Sequence, residues 1–223
     1  MANTYKLLDL QAQLRAIGRG VVFYAEKWDG ETNLSLTHLG DTEGEITAEM
    51  NESYSHLTLP ELTGEAKHRS YVSGEDPVVT LPLFLADPAL RAIVSPTGNA
   101  SGGYQRQRPV KERTLVIFPE ELFFDASEGE YGDLSYTGTA WQLNGEALSP
   151  AQTKLLGQSV WFWRGYFTKP GVAFRHEDGG KLVESISFQA MQSDLALAVL
   201  PDGERIYTLG DPGDKDIDIH PAS

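Results

Sequence analysis

Residues 74–124 read GEDPVVTLPLFLADPALRAIVSPTGNASGGYQRQRPVKERTLVIFPEELFF. Two apolar runs, Val78–Leu85 and Thr114–Phe118, have the composition and length of buried strands. Between them, Asp87 as an N-cap followed by Pro88 at the first helical position opens a short helix that runs to Val94, with Leu90, Ile93 and Val94 on one face. About two turns of helix do not stand alone in water, so this one must pack against a sheet. The rest of the connection, Pro96 to Arg113, is polar and rich in Gly and Arg. Connections in compact domains usually span about 4–6 residues. A polar connection of this length between two core strands is therefore functional or disordered.

Outward from this stretch the chain reads mainly as strands. Leu7, Leu10, Leu14 and Ile17 recur at helical spacing and Gly18 follows as a stop, so residues 5–17 form an amphipathic helix. From Gly20 the run VVFYAEKW is β-rich and closes at Asp29-Gly30. Residues 33–64 alternate, with Ile46, Ala48 and Met50 on one side and Glu45, Thr47 and Glu49 on the other, and the phase slips near His56 to Leu59, as at a bulge. Seven acids and no Lys or Arg lie between Gly40 and Ala66, which makes one sheet face strongly negative.

Towards the C-terminus, Leu134 and Tyr136 lead to a hairpin at Asn144-Gly145. Ser149-Pro150 caps a second short helix ending at Gly157. SVWFWRGYF follows, with Trp161 and Trp163 on one face and Phe162 and Tyr166 on the other, so both faces are covered. VAFRHE and KLVESISFQAM form a hairpin about Asp178-Gly179-Gly180, its second arm burying Leu182, Ile186 and Phe188. A last strand pair spans Leu195 to Leu209 about Pro201-Asp202-Gly203. The expected fold is mainly β: a single-domain β-sandwich or barrel over residues 19–210 with short flanking α-helices, an N-terminal helical arm over 1–18 and an acidic C-terminal arm over 211–223.

The totals exclude several functions. The 18 basic against 32 acidic residues give a net charge of −14, the wrong sign for binding the phosphate backbone of nucleic acid. With no cysteine, disulfide scaffolds, thiolate metal sites and Cys nucleophiles are ruled out. The N-terminus lacks the apolar core of a signal peptide and no run approaches the ~18 apolar residues of a membrane span. The expectation is a soluble protein made in a cytoplasm.

No convergent catalytic set stands out. His38, His56, His68, His176 and His220 are scattered, without HxH or HExxH spacing. Gly98 to Gly102 departs from G-x-S-x-G at Asn99 and Ala100. Asp214, Asp216 and Asp218 have the start of a calcium-loop spacing, but Ile219 stands where the turn needs Gly and the chain ends before a twelfth position. Trp141, Trp161, Trp163 and Tyr104 could form a carbohydrate platform, although the tryptophans read more readily as core. Neither catalytic residues, nor a cofactor, nor a metal site is expected. What remains is assembly: Gly98, Asn99, Gly102, Gly103, Tyr104, Arg106, Arg108 and Arg113 would offer positive charge to acidic surfaces of an identical copy, a heterologous contact that builds rings or filaments.

The order of parts resembles the tail tube (major tail) proteins of long, non-contractile-tailed bacteriophages. An acidic alternating strand pair comes early, a short DPAL helix follows a buried strand, a long loop comes next and an aromatic hairpin stands near the end. The run LPLFLADPALRAIVSPTGNASGGYQRQRPVKERTLVIFPEELF is especially similar, and the likeness covers most of residues 19–211. The resemblance implies a non-enzymatic virion protein of the phage tail, assembled as hexameric rings stacked into a tube. Strands of neighbouring copies would join into one inner barrel, and residues 96–113 would reach the next ring. It implies partners in the tape measure protein and other tail proteins, genomic DNA passing through without specific binding, and no membrane. On that reading Glu43, Glu45 and Glu49 face an acidic lumen. The alternatives are a tail terminator or baseplate ring, the tube of a related secretion apparatus, or a carbohydrate-binding β-sandwich.

Overall fold

The computed structural model describes residues 2–28, 36–56, 70–84, 93–94, 110–125, 130–136, 140–168, 171–176, 182–193 and 206–211. Helix α1 (Ala2–Ile17) leads into β1 (Gly20–Glu26), β2 (Thr37–Thr42), β3 (Thr47–His56), β4 (Ser70–Phe84) and β5 (Arg113–Pro119). A 3₁₀ turn, η1 (Glu120–Phe123), precedes the short strands β6 (Phe124–Asp125), β7 (Glu130–Tyr131), β8 (Leu134–Tyr136), β9 (Trp141–Leu143) and β10 (Glu146–Ala147). Helix α2 (Pro150–Leu156), β11 (Val160–Phe167), β12 (Gly171–His176), β13 (Leu182–Ala190) and β14 (Tyr207–Leu209) complete the described elements.

Six antiparallel strands close on themselves in the order β1, β2, β4, β13, β11, β5 and back to β1. The expected sandwich or barrel is therefore a closed barrel, an arrangement that removes free edges from the strands within it. Its narrowest seam joins β2 to β4 through Asp41 opposite Phe84 and Thr42 opposite Leu83. The Glu43 amide extends that seam by donating to the Pro82 carbonyl at 2.8 Å. Outside the closed ring, β3 pairs along β4, β12 pairs with β13, and β14 pairs with β11.

Alternation along the strands divides the core in two. Val22, Leu39, Leu81, Leu115, Ile117, Phe162, Ile186 and Phe188 fill the barrel, and Leu10, Leu14 and Ile17 of α1 are buried against them. The opposite faces of β1, β5 and β11 present Val21, Val116, Phe118, Trp161 and Trp163 to an outer layer made of Trp28, Leu122, Phe123, Trp141 and Leu156. These strands read as near-continuous apolar runs because each is covered on both sides. Trp28, Thr114 and Trp163 find partners within this layer, whereas Trp141 Nε1 is buried without one among the described residues. Thr114 Oγ1 accepts from the Trp28 amide at 3.1 Å and donates to the Trp163 carbonyl at 2.9 Å, while Trp163 Nε1 donates to Thr208 Oγ1 at 2.8 Å.

Local signals explain several boundaries. Ser149 accepts from the Gln152 amide and Gln152 reaches back to the Ser149 amide, a complete capping box with Pro150 at the first turn of α2. Asn144 at φ 52° and Gly145 at φ 80° make the two-residue turn between β9 and β10. Gly18 at φ 64° ends α1.

Other boundaries differ from expectation. The strand expected from Val78 begins at Ser70, because residues 70–77 pair with β3 on one side. Pro77 stands within it opposite Met50, a place where the missing amide costs nothing if that edge makes no ladder bond. Trp161 and Trp163 share a face and Phe162 lies on the other, as expected, but Phe167 rather than Tyr166 rejoins Phe162 in the barrel interior. A register shift between Phe162 and Gly165 reverses the alternation there. A β3 bulge lies at Ser53/Tyr54, while Leu57 to Leu59 of the expected slip lie outside the described residues. β14 pairs with β11, and the strand expected before it from Leu195 lies outside the described residues. Of the helix expected over Asp87–Val94, Ile93 and Val94 are helical, with Val94 buried in the barrel core. Within the stretch expected as an N-terminal helical arm, α1 packs on the barrel through Leu10, Leu14 and Ile17.

Candidate functional site: charged surfaces and an acidic groove

Of the early acids, Glu49 lies on the exposed face of β3, and Glu43 and Glu45 lie in the segment between β2 and β3. Glu49 and Thr47 are exposed and Ala48 and Ile46 are buried, the alternation expected from sequence. Glu45 is exposed and forms an ion pair with Arg15 of α1 at 3.4 Å, so part of its charge is offset within the chain. Glu43 is half-buried in the bend between β2 and β3.

Gly98, Asn99, Gly102, Gly103, Tyr104, Arg106 and Arg108 lie outside the described residues, as do Asp214, Asp216, Asp218 and the C-terminal arm from residue 212. Arg113 requires a correction. It is the first residue of β5, its side chain is 9% exposed, it pairs with Glu26, and its guanidinium sits 5.6 Å from the centre of the Tyr24 ring. An arginine held this way on the barrel wall is not available to a neighbouring copy. Its place in the sequence next to Glu112, at the end of a polar stretch, gave no sign that the strand had already begun.

Beside it, Glu112 anchors the entry to β5. Arg164 reaches it with two bonds, Nε to Oε2 at 3.0 Å and Nη2 to Oε1 at 2.7 Å, and Lys27 Nζ lies 2.9 Å from Oε2. The Arg164 hydrogen bonds, then that of Lys27, hold the Glu112 carboxyl down from 4.5 to about 2, against the opposing effect of burial. Because the folded pKa is depressed, the stabilisation is complete above about pH 4.5 and is lost as pH falls towards 2. The pair is partly solvated, so its worth is about 1 kcal/mol. Glu112→Gln is expected to lower stability at pH 7 by that amount and to match the parent chain near pH 2, checked by urea unfolding across pH. A deficit that persists unchanged at pH 2 would show that the carboxylate charge is not the source.

On the wall formed by β1 and β2 lies a groove of about 340 Å³. Its floor is apolar, from Val21, Phe23, Phe123 and Leu134, and its rim carries His38, Asp41, Glu120 and Asp133. The Phe23 and Phe123 rings stack at 5.9 Å, and Phe23 also meets the His38 ring at 5.3 Å. His38 Nε2 lies 3.0 Å from Asp41 Oδ1. The pairing of Phe23 with His38 and of Val21 with Asp41 fixes one side of the groove. The other side is tied by the Gly132 amide donating to the Phe123 carbonyl at 2.7 Å and the Asp133 amide donating to Asn144 Oδ1 at 3.0 Å. Among the described lining residues the polar side chains are one imidazole and three carboxylates. The groove presents acceptors beside aromatic carbon, which suits a cationic group on an apolar stem.

Trp141, Trp161 and Trp163 are buried in the outer core layer, which removes them as an exposed carbohydrate platform. Among the described residues no cluster of three or more His, Asp or Glu is placed to hold a metal ion, and no helix is long and apolar enough to cross a membrane. Comparison with models of known protein families and with curated proteins gave no match.

Proposed function

We propose that this chain is the tail tube subunit of a long, non-contractile-tailed bacteriophage, a structural virion protein that forms hexameric rings stacked into a hollow tube. The observation that carries this reading is the closed barrel with one additional strand on each of two neighbouring members. Among the described residues β3 pairs only with β4, and β12 only with β13. Each therefore ends the sheet order with an edge to offer. On β3 the edge continues past Ala48, where Gln11 of α1 bonds to it, and an open edge is an aggregation hazard on a monomer. Joining β3 of one copy to β12 of the next makes a heterologous contact that closes as a ring when the rotation allows.

The charge agrees with a conduit. Six copies at −14 each put a large negative charge around the tube axis. With Glu45 and Glu49 towards the lumen, that charge would repel DNA phosphates at distances within about 8 Å, the screening length at physiological salt. DNA would slide through without specific binding, and the tape measure protein would occupy the channel beforehand. Negative-stain microscopy of the purified protein tests the reading. Long hollow rods support it, single rings would point to a tail terminator or baseplate ring, and monomers at all concentrations would defeat it.

A further inference from the structure

We propose that the acidic groove on the β1–β2 wall receives the Gly102–Arg108 segment, GGYQRQR, of a second copy of this chain. The proposal rests on the stacked-tube reading above and names the two surfaces that meet when one copy sits on the next. The groove supplies Asp41, Glu120 and Asp133 around Phe23, Phe123 and Leu134. Carboxylates over aromatic carbon fit an arginine, whose guanidinium takes paired oxygens while its stem lies on the rings. A volume of about 340 Å³ holds one or two such side chains and not a folded element.

Charge identifies the occupant. On a chain with 32 acidic residues, the interval from Pro88 to Lys111 contains Arg91, Arg106, Arg108 and Lys111 and no Asp or Glu. Four cations elsewhere in the chain are engaged inside the domain: Arg113 with Glu26, Arg164 and Lys27 with Glu112, and Arg15 with Glu45. The connection that carries the segment enters the barrel at the end suited to stacking. It joins the barrel at Arg113, the start of β5, whereas Glu120 and the η1 side of the groove follow Pro119 at the strand's other end. Seven strand residues separate those ends by about 20 Å. Copies arranged head to tail bring the segment of one against the groove of the next, the heterologous geometry that propagates as a filament.

The absence of cysteine makes the test clean. Asp133→Cys and Gln107→Cys variants, each with a single thiol, are mixed under assembly conditions, oxidised and analysed on non-reducing gels with peptide mapping. The expected result is a 133–107 disulfide between copies. Adding Asp41→Lys and Glu120→Lys to the groove variant should reduce that cross-link at least tenfold without changing the thermal melt. Combining those changes with Arg106→Glu and Arg108→Glu on the segment should restore it. Rods from the parent chain without the 133–107 cross-link, or a cross-link indifferent to charge reversal, would overturn the groove contact and leave the tube reading standing. A chain carrying both thiols that links only within itself would also overturn it. Charge-sensitive cross-linking between copies in the absence of rods would support the groove contact while removing the tube reading.

Discussion

Gly165→Ala is expected to lower the melting temperature by about 10 °C, corresponding to about 3 kcal/mol for a chain of this size. Gly165 lies where three strands converge: it is opposite Arg113 of β5 on one side and Ala190 of β13 on the other. A β-carbon at this position would sit 2.5 Å from the Gln189 carbonyl oxygen and 2.5 Å from the Phe188 ring. The ring could turn, but the carbonyl belongs to the backbone of β13, whose Ser185, Ile186, Ser187 and Phe188 are also paired to β4. Relief therefore requires moving a strand that helps close the barrel. Gly18→Ala provides the contrast, since its φ of 64° strains any L side chain while no atom lies within 4 Å of the added carbon. That change should cost about 1 kcal/mol. Calorimetry of the two variants separates crowding from backbone strain, and equal losses would refute the close approach at Gly165. Adding Phe188→Leu should not restore Gly165→Ala, because the contact with Gln189 remains.

The same residue explains why part of the fold was legible in the sequence and part was not. β5 and β11 announced themselves because both faces are buried, so Thr114 to Phe118 and Val160 to Phe162 carry little polarity to confuse the reading. The capping box at Ser149 and the turn at Asn144-Gly145 are local devices, decided by neighbours in sequence. The reversal that swaps Tyr166 for Phe167 is decided by the pairing of β11 with two other strands at once, and alternation along one strand contains no trace of it. Asp76-Pro77 has the composition of a turn, yet it continues β4 because β3 supplies a partner on the side where proline gives no hydrogen bond.

The groove is the extreme case of this dependence on tertiary structure. Asp41, Glu120 and Asp133 come from three segments and are assembled by the β1–β2 register and by the Gly132–Phe123 bond. Each alone is an ordinary surface acid. The Arg-rich stretch after Pro96 drew attention through its length and charge, whereas its counterpart could be found only after folding had placed the three carboxylates around Phe23.

Glu52→Pro is expected to abolish tube formation while leaving the folded subunit nearly as stable as the parent. The direction of the β3 backbone carries this prediction. The Ala48 carbonyl accepts from Gln11 Nε2 of α1 at 3.0 Å, so it faces away from β4. Pro77 stands opposite Met50 and has no amide to give, and the Glu43 amide bonds to Pro82, which turns the even-numbered residues of β4 towards β2 and β3. All three observations put Ala48, Met50 and Glu52 in non-hydrogen-bonded pairs with β4, since such pairs alternate along an antiparallel ladder. Their amides therefore lie on the outer edge of β3, where α1 covers Ala48 and the proposed neighbour would cover Glu52. Proline at 52 deletes an edge donor and spares the β3–β4 hairpin. Asn51→Pro, one residue earlier and opposite Asp76, removes an inward ladder bond and should cost about 3 kcal/mol. Thermal melts and micrographs of the two variants distinguish the cases. Rods of normal length from Glu52→Pro would mean that this edge joins no other copy, and equal destabilisation by both prolines would mean that the assigned strand direction is wrong.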